Sequence, residues 1–378
     1  MSLTVERDHL LRALEAASRI TPTKSPIPIA AHLLLAAGNG EGAHAMGSNL
    51  DCEVRADITR AEWEGAFAVA LPAKQLVDLV RGMPAGSVIR LTPQGADVTV
   101  QCGRSRYKMP SLLAEDFPRL TAPDDATRLI IAGAELAEAM AAVAHAQADD
   151  KDWQNAGTRL SLCGGDLRVD AYCRRMYTRR TAPLVEDAEG SASAIVPREV
   201  APSLIKIAAD SASITLHLAA NLIRVEGNGV TLTTKVVEAQ WPDFDGQFPR
   251  EPWHVITVER APLAAALDRL SGVLVAKEAS SRAVAIDFTA SETLSLSVRD
   301  SIGGDGAEEV AASVATDGER EGAQAFKVYP RQVLDLLKAT KANSVAIAIF
   351  DPAKPWRMTP AGAAPDDLSE IAFTSHIA

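Results

Sequence analysis

A pattern of about 126 residues recurs three times along this chain, and that recurrence limits what the chain can fold into. Thr4-Val5-Glu6-Arg7 reappears as Thr257-Val258-Glu259-Arg260, a shift of 253 residues. Apolar residues follow each at helical spacing: Leu10, Leu11, Leu14 and Ala17 in the first case, Leu263, Ala266, Leu267 and Leu270 in the last. Midway, Ile131-Ala132-Gly133-Ala134 leads into Leu136, Met140 and Val143 with the same spacing. A second marker repeats independently. Leu71-Pro72-Ala73-Lys74-Gln75-Leu76, Val196-Pro197-Arg198-Glu199-Val200 and Val328-Tyr329-Pro330-Arg331-Gln332-Val333 each place a proline at the start of a predicted helix, where its missing N–H costs nothing. Two markers in the same order, three times over, predict three copies of one domain.

Between the markers the apolar residues alternate, which predicts strands. These cover Val88 to Leu91, Asp97 to Cys102 and Arg106 to Met109 in the first copy. In the second they cover Arg159 to Leu162, Leu167 to Val169, Ile214 to Leu218, Leu222 to Gly227 and Val230 to Thr234. In the third they cover Val284 to Phe288, Leu294 to Val298 and Val345 to Phe350. Asn39-Gly40, Gly164-Gly165-Asp166 and Asn228-Gly229 read as hairpin turns. Each copy is therefore two helices among short, mostly antiparallel strands, an α+β domain. The joints fall where composition turns loop-like, at Pro118 to Thr127 and Trp241 to Trp253, which sets the expected domains at 1–122, 127–246 and 253–378.

Composition excludes several classes. With 47% hydrophobic residues each copy can bury a core, but no apolar run approaches the ~20 residues a membrane span needs. No basic region followed by an apolar stretch opens the chain, so no signal peptide and a cytoplasmic location are expected. Cys52, Cys102, Cys163 and Cys173 are scattered without a CxxC, which predicts reduced thiols rather than disulfides or a zinc site. Seven dispersed histidines include no HExxH, and there is no P-loop, GxGxxG or GxSxG. Gly38 to Gly42 reads as a turn, and Asp149, Asp150 and Asp152 as an acidic loop, since no second ligand cluster accompanies them. No catalytic site, cofactor or metal is expected. The net charge of −11 argues against a groove-reading DNA binder, but leaves room for positive charge gathered on one surface.

Particular runs are more specific. Val5 to Leu11 (VERDHLL), Pro26-Ile27-Pro28-Ile29, Leu71 to Pro84 (LPAKQLVDLVRGMP), Cys102-Gly103-Arg104-Ser105-Arg106-Tyr107 and Asp116-Phe117-Pro118-Arg119-Leu120 resemble the β sliding clamp family of bacterial DNA polymerase III. The resemblance covers the whole chain, strongest in the first copy and weakest at the C-terminus. It implies three repeated clamp domains, each of two helices plus antiparallel sheets, in a head-to-tail ring dimer with the helices lining a central hole. It also implies a non-catalytic accessory of a DNA-directed DNA polymerase, with double-stranded DNA, a second copy, a clamp loader and polymerase subunits or other motif-bearing proteins as partners.

A DNA-lined hole needs cations on the helices. Lys74 and Arg81 lie seven residues apart and Arg198 and Lys206 eight apart; Arg331, Lys338 and Lys341 continue the pattern. The first helix adds Arg7, Arg12, Arg19 and, beyond it, Lys24. The resemblance also places Arg104, Arg106, Trp153 and Lys277 near DNA. Such contacts are to phosphate, independent of sequence and sensitive to salt.

The family's partner-peptide pocket, between its second and third domains, maps here onto Ala171, Cys173, Arg174, Arg175, Met176, Pro242, Gln247, Phe373, Thr374, Ser375 and His376. The sequence departs from the family there. Ala171-Tyr172-Cys173-Arg174-Arg175-Met176 replaces a Thr-Asp-Gly-His-Arg-Leu run, Gly246 and Gln247 replace a basic and an apolar residue, and the Met-Pro-Met of the tail is absent. Polar Thr374, Ser375 and His376 make a poorer apolar cavity. The leading expectation is a processivity clamp for a polymerase. The alternative is a second, specialised clamp that recruits a repair polymerase or another dedicated partner.

Overall fold

The computed structural model describes residues 1–38, 40–121, 125–148, 157–173, 176–245, 251–275, 283–300, 302–316, 324–350, 355–364 and 370–374, without the side chains of 373 and 374. The first repeat runs β1 (Ser2–Glu6), α1 (Arg7–Ser18), β2 (His32–Ala37), β3 (His44–Ser48), β4 (Cys52–Asp57), β5 (Glu62–Glu64), β6 (Phe67–Pro72), α2 (Ala73–Arg81), β7 (Val88–Gln94), β8 (Asp97–Cys102) and β9 (Ser105–Pro110). The second runs β10 (Thr127–Ala132), α3 (Gly133–Val143), β11 (Gly157–Cys163), β12 (Asp166–Cys173), β13 (Met176–Pro183), β14 (Ser193–Pro197), α4 (Ala201–Ala209), β15 (Ser213–Leu218), β16 (Leu222–Gly227) and β17 (Val230–Lys235). The third runs β18 (His254–Glu259), α5 (Arg260–Ser271), β19 (Val284–Asp287), β20 (Thr293–Asp300), β21 (Gly304–Thr316), β22 (Ala325–Val328), α6 (Pro330–Ala339), β23 (Ser344–Ile349), β24 (Trp356–Pro360) and β25 (Glu370–Thr374). The expected α+β repeats are present, with strands where alternation placed them. Asn228 and Gly229 both have positive φ, +47° and +72°, as a two-residue turn of type I′ between β16 and β17 requires.

The repeated Thr-Val-Glu-Arg marker is the end of a strand and the first residue of a helix. α1 and α5 begin without a side-chain cap. The N–H of the first helical residue donates instead to a carbonyl just past the second helix of its own repeat: Arg7 to Ser87 at 2.7 Å, Gly133 to Ala212 at 3.1 Å and Arg260 to Asn343 at 2.8 Å. In the outer repeats the arginine side chain extends this tie. Arg7 donates to the carbonyls of Val80 and Arg81 (3.2 and 2.7 Å), and Arg260 to those of Ala342 and Leu337 (3.0 and 3.3 Å). These satisfy carbonyls that a helix end leaves open. Arg7, expected among the DNA-facing cations, is thus engaged in closing α2. In the second repeat the position is glycine, and the chain at the end of α4 comes directly against it: a Cβ on Gly133 would stand 2.0 Å from the Ser211 carbonyl oxygen and 2.3 Å from that of Ala208.

The second marker varies more than its sequence suggests. Pro72 caps α2 from outside, and Pro330 is the first residue of α6. α4 starts only at Ala201, after the turn Arg198 to Val200, because Pro202 rather than Pro197 occupies its first turn. Arg198 therefore precedes the helix and does not share a helical face with Lys206, contrary to the spacing argument.

The chain divides into two compact units, Met1–Ala137 with Pro183–Val237 and Glu138–Ala182 with Glu238–Ala378. In the first unit one sheet runs β10-β15-β16-β17-β4-β3-β2-β6 and another β5-β1-β7-β8-β9. β17, the last strand of the second repeat, is joined antiparallel to β4 of the first, from Val230 opposite Ala56 to Thr234 opposite Cys52. α1 and α2 pack Leu10, Leu14, Leu76 and Val80 against Leu3, Leu33, Leu35, Ile89 and Leu91 of the strands. In the second unit the strands run β11-β12-β13-β25-β24-β23-β18-β21-β20-β19-β22. Here β25 of the third repeat is joined to β13 of the second, from Met176 opposite Thr374 to Arg180 opposite Glu370. Leu263, Leu267 and Leu337 of its helices are buried, with Ile256, Val345 and Ile347 of its strands.

The approach at Gly133 gives a stability prediction. Gly133→Ala must push α3 and the end of α4 apart and is expected to cost about 1–3 kcal/mol, as overpacking does. Urea denaturation measures it, and an unchanged midpoint would contradict the packing described.

Candidate nucleic-acid interface and docking site

The second helices carry their cations outward. Lys74 and Arg81 on α2, Lys206 on α4, and Arg331 and Lys338 on α6 are all exposed, as is Lys24 in the loop after α1. Several already have carboxylate partners on their own helix: Lys74 with Asp78 (2.6 Å), Lys206 with Asp210 (2.6 Å), and Arg81 with Asp78 (3.4 Å). Arg81 also reaches Glu15 of α1 at 2.9 Å. Exposed pairs of this kind contribute at most about 1 kcal/mol, so they hold the cations only loosely. Trp153 and Lys277 lie outside the described residues.

Arg104 and Arg106 sit elsewhere than on helices. Arg104 is in the turn between β8 and β9, and Arg106 is on β9, which among the described residues ends its sheet and is paired along one side only, with β8. Ser105, Arg106, Tyr107 and Lys108 are exposed along it. A second open edge lies in the other unit. The first part of β21, residues 304–311, pairs with β20, while residues 312–316 turn to β18. Among the described residues the far side of 304–311 has no strand. This edge is acidic, with Asp305, Glu308 and Glu309. Large apolar side chains stand exposed beside both edges: Tyr107 at 42%, Val275 at 59% and Ile302 at 76%. Asp300 holds the last two in place, accepting from the N–H of Val275 at 2.6 Å and of Ile302 at 2.8 Å.

The expected docking region centres on one face of β11, β12, β13 and β25. Alternation puts Arg168, Asp170 and Tyr172 of β12 on that face with Tyr177 and Arg179 of β13. Asp170 and Arg179 are almost fully buried and bonded at 2.9 Å, and the Tyr177 hydroxyl donates to the same Asp170 oxygen at 2.8 Å. The segment Trp241 to Asp245 lies across them. Phe244 packs on Tyr177 (ring centroids 4.2 Å apart) and meets Tyr172 at 5.2 Å; Trp241 stands edge-on to Tyr172 at 4.7 Å. Asp245 binds Arg168 and Arg179, each at 2.7 Å. Burial pushes its carboxyl upward, but the hydrogen bonds and charges of the two arginines outweigh this and hold it below the ordinary aspartate range. Burial, then the Asp170 charge, pushes the Tyr177 hydroxyl well above its ordinary range.

Of the residues expected to line a peptide pocket, Ala171 is fully buried and Met176 nearly so. Ala171 points away from the Asp170 face and supplies packing rather than surface. Cys173 and Pro242 are half-buried. Arg174, Arg175, Gln247, Ser375 and His376 lie outside the described residues, as do the side chains of Phe373 and Thr374, whose backbone continues β25. Sequence reading missed the Arg168–Asp170–Arg179–Asp245 network. Its signal is the alternation of charged residues at 168 and 170 with their match at 179, in strands otherwise read for apolar alternation.

Three family models match the chain: DNA polymerase III beta subunit, N-terminal domain over residues 1–121, central domain over 131–243 and C-terminal domain over 245–368. The chain is 27% identical over 365 residues to the beta sliding clamp of Caulobacter vibrioides (strain NA1000 / CB15N), covering 94% of this chain and 95% of that one. It is 30% identical over 279 residues to the beta sliding clamp of Streptomyces coelicolor, covering 72% and 73%. Among solved structures, the DNA polymerase III subunit beta of Pseudomonas aeruginosa matches with a TM-score of 0.90 over 100% of both chains at 20% identity. The C. crescentus beta sliding clamp matches with a TM-score of 0.89 over 100% of this chain and 99% of that one at 24% identity. These two likenesses bear on the fold.

The buried pair gives a testable coupling. Arg179→Met alone strands the Asp170 carboxylate and is expected to cost about 3–5 kcal/mol. With Asp170→Asn as well, the loss should fall clearly short of the sum of the single losses, and additive losses in urea would contradict the pairing. Asp245, whose folded pKa is depressed, stabilises above the ordinary aspartate range, and that contribution is lost as pH falls through its lowered value. Asp245→Asn should therefore flatten the acid limb of the melting profile and leave its neutral and alkaline limbs parallel to wild type.

Proposed function

The chain belongs to the DNA polymerase III beta subunit family, and from that premise we propose that it is a DNA sliding clamp that closes head to tail with a second copy around duplex DNA. One observation carries this reading. The last strand of the second repeat pairs with β4 of the first, and the last strand of the third pairs with β13 of the second. The same pattern leaves over the last strand of the first repeat, β9, and, in the third repeat, the counterpart of β4 and β13, residues 304–311 of β21. Both edges are open among the described residues, one is basic and the other acidic, and both adjoin exposed apolar side chains. An unpaired strand edge is a liability unless something covers it. A second copy presenting the complementary edge covers both, and a contact of this head-to-tail kind closes when its rotations complete a turn. In this reading the segments 1–122, 127–246 and 253–378 are the repeating sectors of the ring. Arg104 and Arg106 then serve the junction between copies rather than DNA. The exposed cations of α2, α4 and α6 meet phosphate loosely, so that retention comes from encirclement and sliding stays easy.

The protein on this account is non-catalytic and works in the cytoplasm. It is opened by a clamp loader and tethers DNA polymerase subunits or other motif-bearing partners at the face crossed by Trp241 to Asp245. That face also supports the second reading, a specialised clamp with a dedicated partner. Asp245 and the aromatic cluster fix the turn at the position where the family's peptides dock, and the basic and apolar residues expected next to it are replaced by Gly246 and Gln247.

Charge exchange at the junction tests the ring. Arg104→Glu with Arg106→Glu gives one protein whose edges are both acidic, and Asp305→Lys with Glu309→Lys gives another whose edges are both basic. In sedimentation, wild type is expected to be a dimer and each variant a monomer, while an equimolar mixture of the two reassociates because both junctions become complementary. Variants that stay dimeric alone, or a mixture that stays monomeric, would overturn the assignment. For the docking face, a labelled Gln-Leu-x-Leu-Phe peptide titrated by fluorescence anisotropy separates the readings: micromolar binding supports a general processivity clamp, and no binding by dimeric protein supports the dedicated one.

A further inference from the structure

The two joins between repeats use the same register, so each is a control for the other. Val230, the first residue of β17, faces Ala56 of β4, and Thr231 faces Arg55. Glu370, the first residue of β25, faces Arg180 of β13, and Ile371 faces Arg179. Ala56 and Arg180 are therefore equivalent, as are Val230 and Glu370, and one residue along so are Arg55 and Arg179. In the connectors Phe117 matches Phe244, which sets Pro118 against Asp245.

In the first unit the arginine finds its anions close by. Arg55 lies 3.5 Å from the Glu41 carboxylate and 3.8 Å from that of Asp57, both in its own repeat. The connector brings an uncharged Pro118 and is seated all the same: Phe117 is buried, and the Leu120 N–H donates to Glu53 at 3.1 Å. In the second unit Phe244 packs on Tyr177 and does the same for its connector. A carboxylate at 245 is thus not what a connector needs to stay in place.

Asp245 fills a carboxylate seat instead. One of its oxygens accepts from Arg168 and the other from Arg179, each at 2.7 Å. Its side chain is 44% exposed, while that of Arg179 is 3% exposed, so the seat has a buried floor and a solvent-facing occupant. Two guanidiniums here are not fully used. Arg179 keeps its Nη1 buried without a hydrogen-bond partner. Arg159 stands 5.7 Å over the Trp241 ring and has no ion pair among the described residues. A guanidinium stacked on a ring keeps its N–H edge for an anion. An incoming carboxylate that replaces Asp245 leaves both seat arginines paired, so the buried Arg179 never stands without a counter-charge.

We propose that Asp245 is a self-docked carboxylate, and that the partner of this face is an acidic peptide whose own carboxylate displaces it from Arg168 and Arg179 while a neighbouring one meets Arg159. This rests on the docking reading of the face and gives the dedicated partner its chemistry. Peptides without a carboxylate leave Asp245 in place and gain nothing from the arginines.

Two labelled peptides test it by fluorescence anisotropy: Gln-Leu-x-Leu-Phe followed by three glutamates, and the same followed by three lysines. Each is titrated into wild type and into variants shown to be folded and dimeric. The glutamate peptide is expected to bind Asp245→Asn about tenfold more tightly than wild type, and the lysine peptide to gain nothing. Asp243→Asn makes the same change in net charge two residues away and should leave the glutamate peptide near its wild-type affinity. Arg159→Gln lies outside the Asp245 seat, should weaken the glutamate peptide alone, and decides the matter if Asp245→Asn does not fold. Unchanged or weaker binding of the glutamate peptide by Asp245→Asn, an equal gain in Asp243→Asn, or undiminished binding by Arg159→Gln would overturn the proposal and leave the docking face standing. Binding of neither peptide to any of these proteins would overturn the docking reading and the proposal with it.

Discussion

Antiparallel pairing between strands of neighbouring repeats is the interaction on which the rest of this structure depends. Backbone N–H and C=O groups along a strand need partners, and a repeat of this kind cannot supply them all from within. The first repeat completes the edge at β4 by taking β17, and the second completes the edge at β13 by taking β25. This is why the compact units cut through the second repeat instead of falling between repeats. Its strands belong partly to one neighbour and partly to the other. Among the described residues this leaves one open edge of each kind, β9 and residues 304–311 of β21.

Side chains then make the three copies unequal. The position that starts the first helix is arginine in the outer repeats and glycine in the middle one, and the two choices close the end of the second helix differently. Arginine reaches the carbonyls from a distance, while glycine lets the backbones meet. The two joins diverge in the same manner, Arg180 and Glu370 filling what Ala56 and Val230 leave open. The connectors diverge too. Phe117, ahead of the first, is buried in a small cluster with Leu34 and Met46, and the buried Glu53 accepts the Leu120 N–H. In the second connector Phe244 packs among aromatic rings and Asp245 provides the carboxylate, bound by Arg168 and Arg179.

What the sequence disclosed follows from how local each signal is. Helices and strands were legible because their periodicities lie within ten residues or so, and the threefold repeat because its markers are contiguous words. The family was legible from the same words. The partners of β4 and β13 were not, since their mates lie far along the chain and nothing in an alternating strand says which edge it joins. Arg7 looked like a free surface cation because its acceptors are backbone carbonyls more than seventy residues away. Arg198 looked helical because Pro197 mimics the marker, and only Pro202 shows where α4 starts. The expected docking region was legible only as a departure from the family's words, and the buried charge network was not legible, because Asp170, Arg179 and Asp245 meet only after folding.

The central claim is that β9 and residues 304–311 of β21 cover each other between copies. Amide hydrogen exchange followed as a function of protein concentration tests it most directly, since it reads the backbone bonds themselves. The account predicts that amides of Ser105 to Met109 and of Gly304 to Ala311 gain protection together, in step with the appearance of the dimer, while those of β4 and β17 are protected at every concentration. Fast exchange in both open edges of a protein shown to be dimeric would contradict it.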